Sequence, residues 1–353
     1  MNRFFIHNEV NYYEWNPVIH KTSLSSLSGN TVLSQGYVQG KYNVSQKWSL
    51  HGGLHVMCFF LNNKYSIEPR FSLRFAPNSL HAISIGFGQH SQILPLPVYF
   101  VQKEDSFGNK TYSNKNLDFF HSNHIILSYD WQINENLRLK TECYYQKITG
   151  AANGNEHPVY SLLNFGAGDD IVTGETFNGN GKGENYGIEI TLEKFLHKGW
   201  YFLTTGSLFD SKYRDGNNTW RNSRFNTRYA WNVLGGKEFK VGKNNTLGFN
   251  VTIVNIGGQH YIPIDLEASR AANTTIYIDS LAYAGQYSSY SRVDFRIRYR
   301  FNHKRFSQEI AIELGNAFNR KNIDQMYYDK YSGSIKYSYQ LPRVPIVFYR
   351  VEF

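Results

Sequence analysis

The 353-residue sequence has only two cysteines, Cys58 and Cys143, and nine prolines. Two cysteines so far apart build neither a disulfide scaffold nor a thiolate metal cluster. Adding the 29 glycines to the prolines still leaves too few for a low-complexity or collagen-like chain. No uninterrupted apolar run approaches twenty residues, and the mean hydropathy is −0.48. That excludes a membrane protein built of α-helices. It does not exclude a membrane β-barrel, whose alternation of apolar and polar residues vanishes in any average. The start, Met1 to Glu9, has neither an apolar core segment nor a small-residue cleavage site, so it does not read as an export signal. The expectation is a chain that is not exported, or one that is the later part of something longer.

Aromatic residues are plentiful: 27 Tyr, 25 Phe and 6 Trp, which argues against disorder. Lys and Arg exceed Asp and Glu by 37 to 28, a net charge of +9. The basic residues are dispersed rather than gathered in a patch, so nucleic acid is not the expected partner.

Helical periodicity is almost absent, while period-two alternation runs throughout. In Arg292-Val293-Asp294-Phe295-Arg296-Ile297-Arg298-Tyr299-Arg300-Phe301 every odd position is apolar or aromatic and every even one charged. A strand turns this into one apolar and one ionic face. Ile310, Ile312 and Leu314 answer it after a short polar link. Fourteen strands are expected, near 4–14, 31–42, 48–60, 65–75, 80–90, 123–133, 137–147, 185–195, 200–212, 224–236, 246–255, 290–301, 307–317 and 343–353. Alternate links are short (43–47, 76–79, 134–136, 196–199, 237–245, 302–306). The interleaved ones are mostly long (15–30, 91–122, 148–184, 213–223, 256–289, 318–342), and only 61–64 breaks the rule. Sorting long and short connections onto opposite ends is the habit of outer-membrane barrels. Closure would also satisfy every backbone group in lipid. The fold class read from this pattern is all-β, an antiparallel transmembrane β-barrel.

The chain closes on an alternating strand in which Val347, Tyr349, Val351 and Phe353 share a face. A terminal aromatic of this kind resembles the assembly signal of outer-membrane barrels. The segments Leu314-Gly315-Asn316-Ala317-Phe318-Asn319-Arg320-Lys321-Asn322-Ile323 and Gln340-Leu341-Pro342-Arg343-Val344-Pro345 resemble the closing strands of TonB-dependent outer-membrane receptors of the Bacteroidota type. Glu68-Pro69-Arg70-Phe71, Gly86-Phe87-Gly88-Gln89-His90-Ser91-Gln92 and Pro95-Leu96-Pro97-Val98-Tyr99-Phe100 resemble a mid-barrel block of the same receptors. Such receptors carry a signal peptide, a plug and a barrel of roughly 22 strands. The resemblance therefore implies that residues 1–353 are a partial barrel of about 14 strands, without signal peptide or plug. The partners it implies are outer-membrane lipid, the barrel-assembly machinery, the TonB energy complex acting through a plug, and a surface lipoprotein.

Candidate chemistry is sparse. His51 and His55 share a strand face but stand roughly 13 Å apart at about 3.3 Å per residue, too far for one metal ion. They read as two inward-facing histidines. Asn178-Gly179-Asn180-Gly181-Lys182-Gly183 lacks the Ser/Thr and the strand–loop–helix setting of a phosphate loop, and reads as a loop tip. No nucleophile elbow occurs. The expectation is no catalytic residues, no metal and no cofactor.

Two groups stand out. Lumen charges are expected at Arg292, Arg296, Arg298, Arg300, Glu309, Glu313, Asp130 and Lys140. Cross-strand register pairs Arg300 with Glu309, Arg296 with Glu313 and Asp130 with Lys140, as wall ladders or as a surface for a plug or an anionic substrate. Ligand-facing candidates in the long connections are Trp220, Tyr277, Tyr283, Tyr287, Tyr327 and Tyr328, whose rings offer apolar faces with polar edges. Gln89, His90 and Gln92 lie at a strand exit near the mouth. Tyr290 suits an interfacial girdle instead. The expected function is ligand capture by loops and nutrient uptake across the bacterial outer membrane. The alternatives are a self-contained 14-stranded passive pore or a soluble β-rich carbohydrate-binding protein.

Overall fold

The computed structural model describes residues 2–15, 19–104, 107, 109–166 and 175–353, with side chains from Gly29 onward except at 102–106 and 110. Fourteen strands form one antiparallel meander in which each pairs with its neighbours in the chain. They are β1 (Asn2–Trp15), β2 (Ile19–Asn43), β3 (Trp48–Phe59), β4 (Lys64–Phe75), β5 (His81–Gln92), β6 (Phe120–Asn134) and β7 (Leu137–Gly154). The second half adds β8 (Phe177–His197), β9 (Trp200–Arg214), β10 (Tyr229–Val241), β11 (Asn245–Ile256), β12 (Tyr290–Asn302), β13 (Ser307–Gly315) and β14 (Val344–Glu352). Among the described residues β1 pairs only with β2, and β14 only with β13, so both edges of the sheet are open.

All fourteen strands expected from alternation lie in this sheet. Several connections differ. Most of 15–30 is strand rather than loop, because β2 begins at Ile19 and pairs back on β1. The glycine-rich run 178–183 is not a loop tip but part of β8, with Asn178 across from Asn153 and Lys182 from Thr149. The strand expected at 224–236 is displaced to Tyr229–Val241. Asn226, fully buried, explains the shift: its side chain accepts from Ser211 N–H and donates to Asp210 and Asn222. Residues 223–228 are thereby folded into a tight loop, which Arg228 leaves at φ 68°. With 25 residues, β2 is far longer than the roughly 9–11 that a tilted membrane-spanning strand needs.

The faces of the sheet are inverted relative to a water-soluble protein. Ile297, Ile312 and Leu127 are 50%, 58% and 51% exposed, whereas the Glu309 side chain on the opposite face is only 12% exposed. Register stacks the apolar residues across neighbouring strands: Phe249, Ile297, Ile312 and Val347 form one continuous row. Burying that row in water would require a second layer, and lipid supplies the equivalent.

At the long-connection end the links fold into a layer with its own apolar core. Leu94, Val98, Tyr99, Phe100 and Phe119 of the β5–β6 connection, which includes the short helix α1 (Leu96–Tyr99), pack on Leu33, Met57 and Phe59. Fully burying such side chains contributes about 1.5–3 kcal/mol each. Tyr99 is enclosed there, and burial pushes its phenol pKa up to about 12. The short β3–β4 turn, the exception to the alternation of lengths, makes room for this layer. Its Asn62 donates to the carbonyls of Lys115 and Leu117. Asn114, fully buried, then donates to the Glu175 carbonyl and accepts from Phe177 N–H, which joins this connection to the next one.

Candidate functional site

The long connections of the second half converge on a cup of about 490 Å³, lined by His157, Tyr160, Phe165, Glu175, Arg224, Gln259, His260, Tyr261, Tyr277, Asp279, Tyr283, Tyr287, Asp324 and Met326 among others. Its scaffold is local. Helix α2 (Leu266–Ala272) is capped by the Asp265 carboxylate on Ala268 N–H and ended by Asn273 in the left-handed region. These are the preferred residue types for a helix start and stop. Arg270 donates to the Gly333 carbonyl, and Tyr328 N–H donates to Thr275 Oγ1. Both bonds fasten this connection to the hairpin 323–339. Gly257 and Gly258 allow the approach of two further segments: a Cβ on either would lie 1.8 Å from the carbonyl oxygen of Thr227 or Tyr287.

Aromatic rings form the wall. Tyr261 and Tyr287 stack with centroids 4.4 Å apart at 26°. The Tyr287 N–H donates to the Gln259 carbonyl, and its hydroxyl accepts from Met326 N–H. Tyr160 meets Phe165 edge-on at 4.8 Å, and Tyr213 meets Tyr283 at 5.7 Å. Polar groups mark the rim. The Glu175 carboxylate, almost fully buried, is 2.7 Å from His157 Nδ1 and accepts from Glu156 N–H. Arg224 is placed by its N–H to Asn164 Oδ1 and by its carbonyl, which accepts from His260 N–H. Its Nε reaches Gln259 Oε1 at 3.3 Å. Burial lowers the pKa of His260, and nearby backbone carbonyls only partly oppose the shift. Flat apolar surface with a few fixed polar groups is the ordinary chemistry of a small-molecule site.

The structure brings Tyr277, Tyr283 and Tyr287 together in this cup but not the other candidates. Trp220 is half exposed on a short strand beside β9. Tyr327 and Tyr328 belong to the hairpin and do not line the cup. Gln89 pairs with Asn123 on the shared face of Phe87. His90 lies on the ionic face of the sheet, in a trough of about 540 Å³ with Lys41, His51, Arg70 and His124. Gln92 faces a separate hollow beside Leu94 and Phe120. His157, Tyr160, Phe165, Glu175, Arg224 and His260 also line the cup, and no motif of the sequence marks them. The run Gln259-His260-Tyr261 directly after a strand was the available signal.

The ionic face carries a ladder. Register sets Arg296 opposite Glu313, Arg300 opposite Glu309 and Asp130 opposite Lys140. The side chains reach past these partners instead, diagonally to another strand or along their own. Arg296 bonds Glu309 at 3.0 Å and approaches Glu313 only to 4.0 Å. Arg300 bonds Glu352 at 2.5 Å rather than Glu309. Asp130 takes a forked pair from Arg138 at 2.9 and 2.5 Å, and Lys140 turns to Glu142 at 2.7 Å. The arginine stem spans the diagonal between strands, and its planar fork matches a carboxylate better than an ammonium does. Arg298 pairs with Glu238 and lies 3.6 Å from Glu309, while Arg292 bonds Asp294 at 2.7 Å. His55 Nδ1 is 2.9 Å from the buried carboxylate of Glu68. Among the described residues no group of three or more His, Cys, Asp or Glu is arranged to hold a metal ion.

The sequence profile of the TonB dependent receptor-like β-barrel family matches residues 3–319. The chain belongs to this family. Solved structures agree in fold. The ferripyoverdine receptor of the Pseudomonas aeruginosa outer membrane aligns with a TM-score of 0.56 at 13% identity, over 94% of this chain and 40% of that one. The ferric yersiniabactin uptake receptor FyuA of Yersinia pestis gives 0.61 at 12%, over 92% and 46%. The ferric-catecholate import receptor Fiu of K12 E. coli gives 0.60 at 11%, over 94% and 46%. The chain thus spans less than half the length of these receptors. Comparison with curated proteins finds no match. Family membership places the barrel in the bacterial outer membrane, and the exposed apolar rows are the kind of face such a barrel turns toward lipid. The matching family and structures are transport receptors rather than enzymes.

Proposed function

We propose that the chain is the C-terminal barrel part of a TonB-dependent nutrient receptor of the Bacteroidota type, with the plug outside these residues. The cup captures the ligand, and passage through the lumen then depends on a plug moved by the TonB energy complex. The observation that carries this reading is the placement of an aromatic cup at the long-connection end of a sheet whose two edges are open among the described residues. Open edges in lipid would leave backbone groups unsatisfied, so further strands of the same receptor complete the wall. For the same reason a closed 14-stranded passive pore fits poorly. A soluble carbohydrate-binding protein would not expose the row through Ile297, Ile312 and Val347.

The partners follow from this reading: outer-membrane lipid along the apolar face, the barrel-assembly machinery at the strand ending Val347, Tyr349, Val351 and Phe353, and a surface lipoprotein over the loops. Because the structural neighbours are receptors for ferric chelates, an iron chelate with flat apolar faces is the ligand class to try first. Titrating the full chain in detergent with ferripyoverdine and a ferric catecholate, read by tryptophan fluorescence, tests the cup. Saturable quenching that weakens at least tenfold in Tyr261→Ala and Tyr287→Ala supports it. Binding unaffected by either substitution, or no saturable binding of either chelate, overturns the cup as their capture site.

A further inference from the structure

The short-turn end carries cations that ligand capture does not use. Its turns, at 44–47, 76–80, 135–136, 198–199, 242–244 and 303–306, contain Lys47, Lys198, Lys243, Lys304 and Arg305 against one acid, Glu135. Two more lysines stand on the apolar face itself. Lys237 lies across from Trp200 on one side and Phe249 on the other, and Phe249 faces Ile297 in the lipid-facing row. Lys194 lies across from Phe202.

The two ammonium groups converge on Trp200. Lys194 Nζ donates to the Trp200 carbonyl at 3.3 Å. Lys237 Nζ donates to the Lys198 carbonyl at 3.3 Å and sits 4.4 Å from the Trp200 ring centre and 5.6 Å from that of Phe239. Neither lysine has a carboxylate partner among the described residues. The adjacent acids are turned away on the ionic face, where Glu193 stands across from Arg138 and Glu238 bonds Arg298. Trp200, Leu196 and Phe239 are about half exposed around them. Cations on apolar stems beside aromatic rings, at the end of a lipid-facing band, snorkel toward an anionic layer.

We propose that Lys194 and Lys237, framed by Trp200 and Phe239, hold the phosphate of an anionic phospholipid head group at the periplasmic boundary of the membrane. The acyl chains lie along the apolar face beyond Phe202. The assignment rests on the orientation in which short turns face the periplasm, and is independent of which ligand the cup takes. A free anion would not need the apolar face, and lipid A sits at the opposite, long-connection end.

The test is native mass spectrometry of the full chain in detergent micelles, titrated with phosphatidylglycerol, phosphatidylethanolamine, lipid A and inorganic phosphate. The expected result is retention of phosphatidylglycerol over phosphatidylethanolamine. The preference should fall about fivefold in Lys194→Gln and again in Lys237→Gln, the ratio for about 1 kcal/mol per surface charge. It should persist in Lys194→Arg and in the turn variant Lys243→Gln. Far-UV circular dichroism confirms that each variant keeps its β-structure. Equal retention of both phospholipids, a preference unchanged by the two Gln substitutions, lipid A held with the same lysine dependence, or displacement by inorganic phosphate would each overturn it.

Discussion

The hydroxyl oxygen of Tyr287 accepts the backbone N–H of Met326 at 3.0 Å. One side chain therefore holds two long connections in contact while its ring stacks on Tyr261. Tyr287→Phe keeps the stack and leaves a half-buried amide without its acceptor. The expected cost is about 1–3 kcal/mol, seen as faster hydrogen exchange at Met326 with the barrel amides unchanged. Unaltered exchange at Met326 would show that the connections are held elsewhere.

Glycine positions give a contrast of opposite sign. At Gly258 a Cβ would meet the Tyr287 carbonyl oxygen at 1.8 Å, whereas at Gly40 it meets nothing within 4 Å. Gly258→Ala should displace the Tyr287 segment and abolish ligand quenching. Gly40→Ala should be neutral or stabilise by up to about 1 kcal/mol. Urea-unfolding midpoints of both variants in detergent check the pair.

Glu309 accepts from Arg296 at 3.0 Å and lies 3.6 Å from Arg298. Since exposed or half-exposed pairs contribute little, a double-mutant cycle of Arg296→Met with Glu309→Gln should give a coupling of about 0.2–1 kcal/mol. The cycle of Arg300 with Glu309 should give a smaller one, because Arg300 bonds Glu352. Equal couplings would favour register over the diagonal contacts.

At the rim of the cup, the hydrogen bond that His157 donates to the Glu175 carboxylate raises the pKa of His157 above its ordinary 6.5. Burial pushes the Glu175 carboxyl up, but bonds from His157 and the Glu156 N–H outweigh it, and the net shift is below 4.5. The His157 contribution is fully present below about pH 6.5 and is lost as pH rises through its raised value. The Glu175 contribution is present above about pH 4.5 and is lost as pH falls through its lowered value. The contact is therefore strongest in mildly acidic solution. An NMR titration should place the His157 midpoint above 6.5 in the parent chain and lower in Glu175→Gln. Equal midpoints would remove the pair from the account.

What the sequence carried was the sheet, because alternation is a local property that each strand displays unaided. All fourteen strands could be placed from it, and the row through Ile297 and Ile312 followed from parity alone. The errors arose where distant groups decide. Asn178 to Gly183 has the composition of a loop, yet strand β7 is present to pair with it. The strand expected to begin at 224 begins at Tyr229, because buried Asn226 recruits residues 223–228 into a loop. In the cup, tyrosine abundance pointed to Tyr277, Tyr283 and Tyr287. The meeting of His157 with Glu175 depends on two ends of one long connection folding together, and no spacing rule announces it. Diagonal ion pairing was likewise invisible, since register fixes Cα partners and not the reach of an arginine.

Lipid contact along the apolar face is the claim on which the rest depends, and spin-label accessibility across β13 tests it most directly. Single cysteines at Glu309, Ile310, Ile312 and Glu313, in a chain whose Cys58 and Cys143 are replaced by Ser, are labelled and reconstituted in bilayers. Labels at 310 and 312 should collide preferentially with oxygen, and labels at 309 and 313 with a water-soluble nickel chelate. A label at 312 that meets the chelate as readily as one at 313 would contradict the membrane assignment of this face.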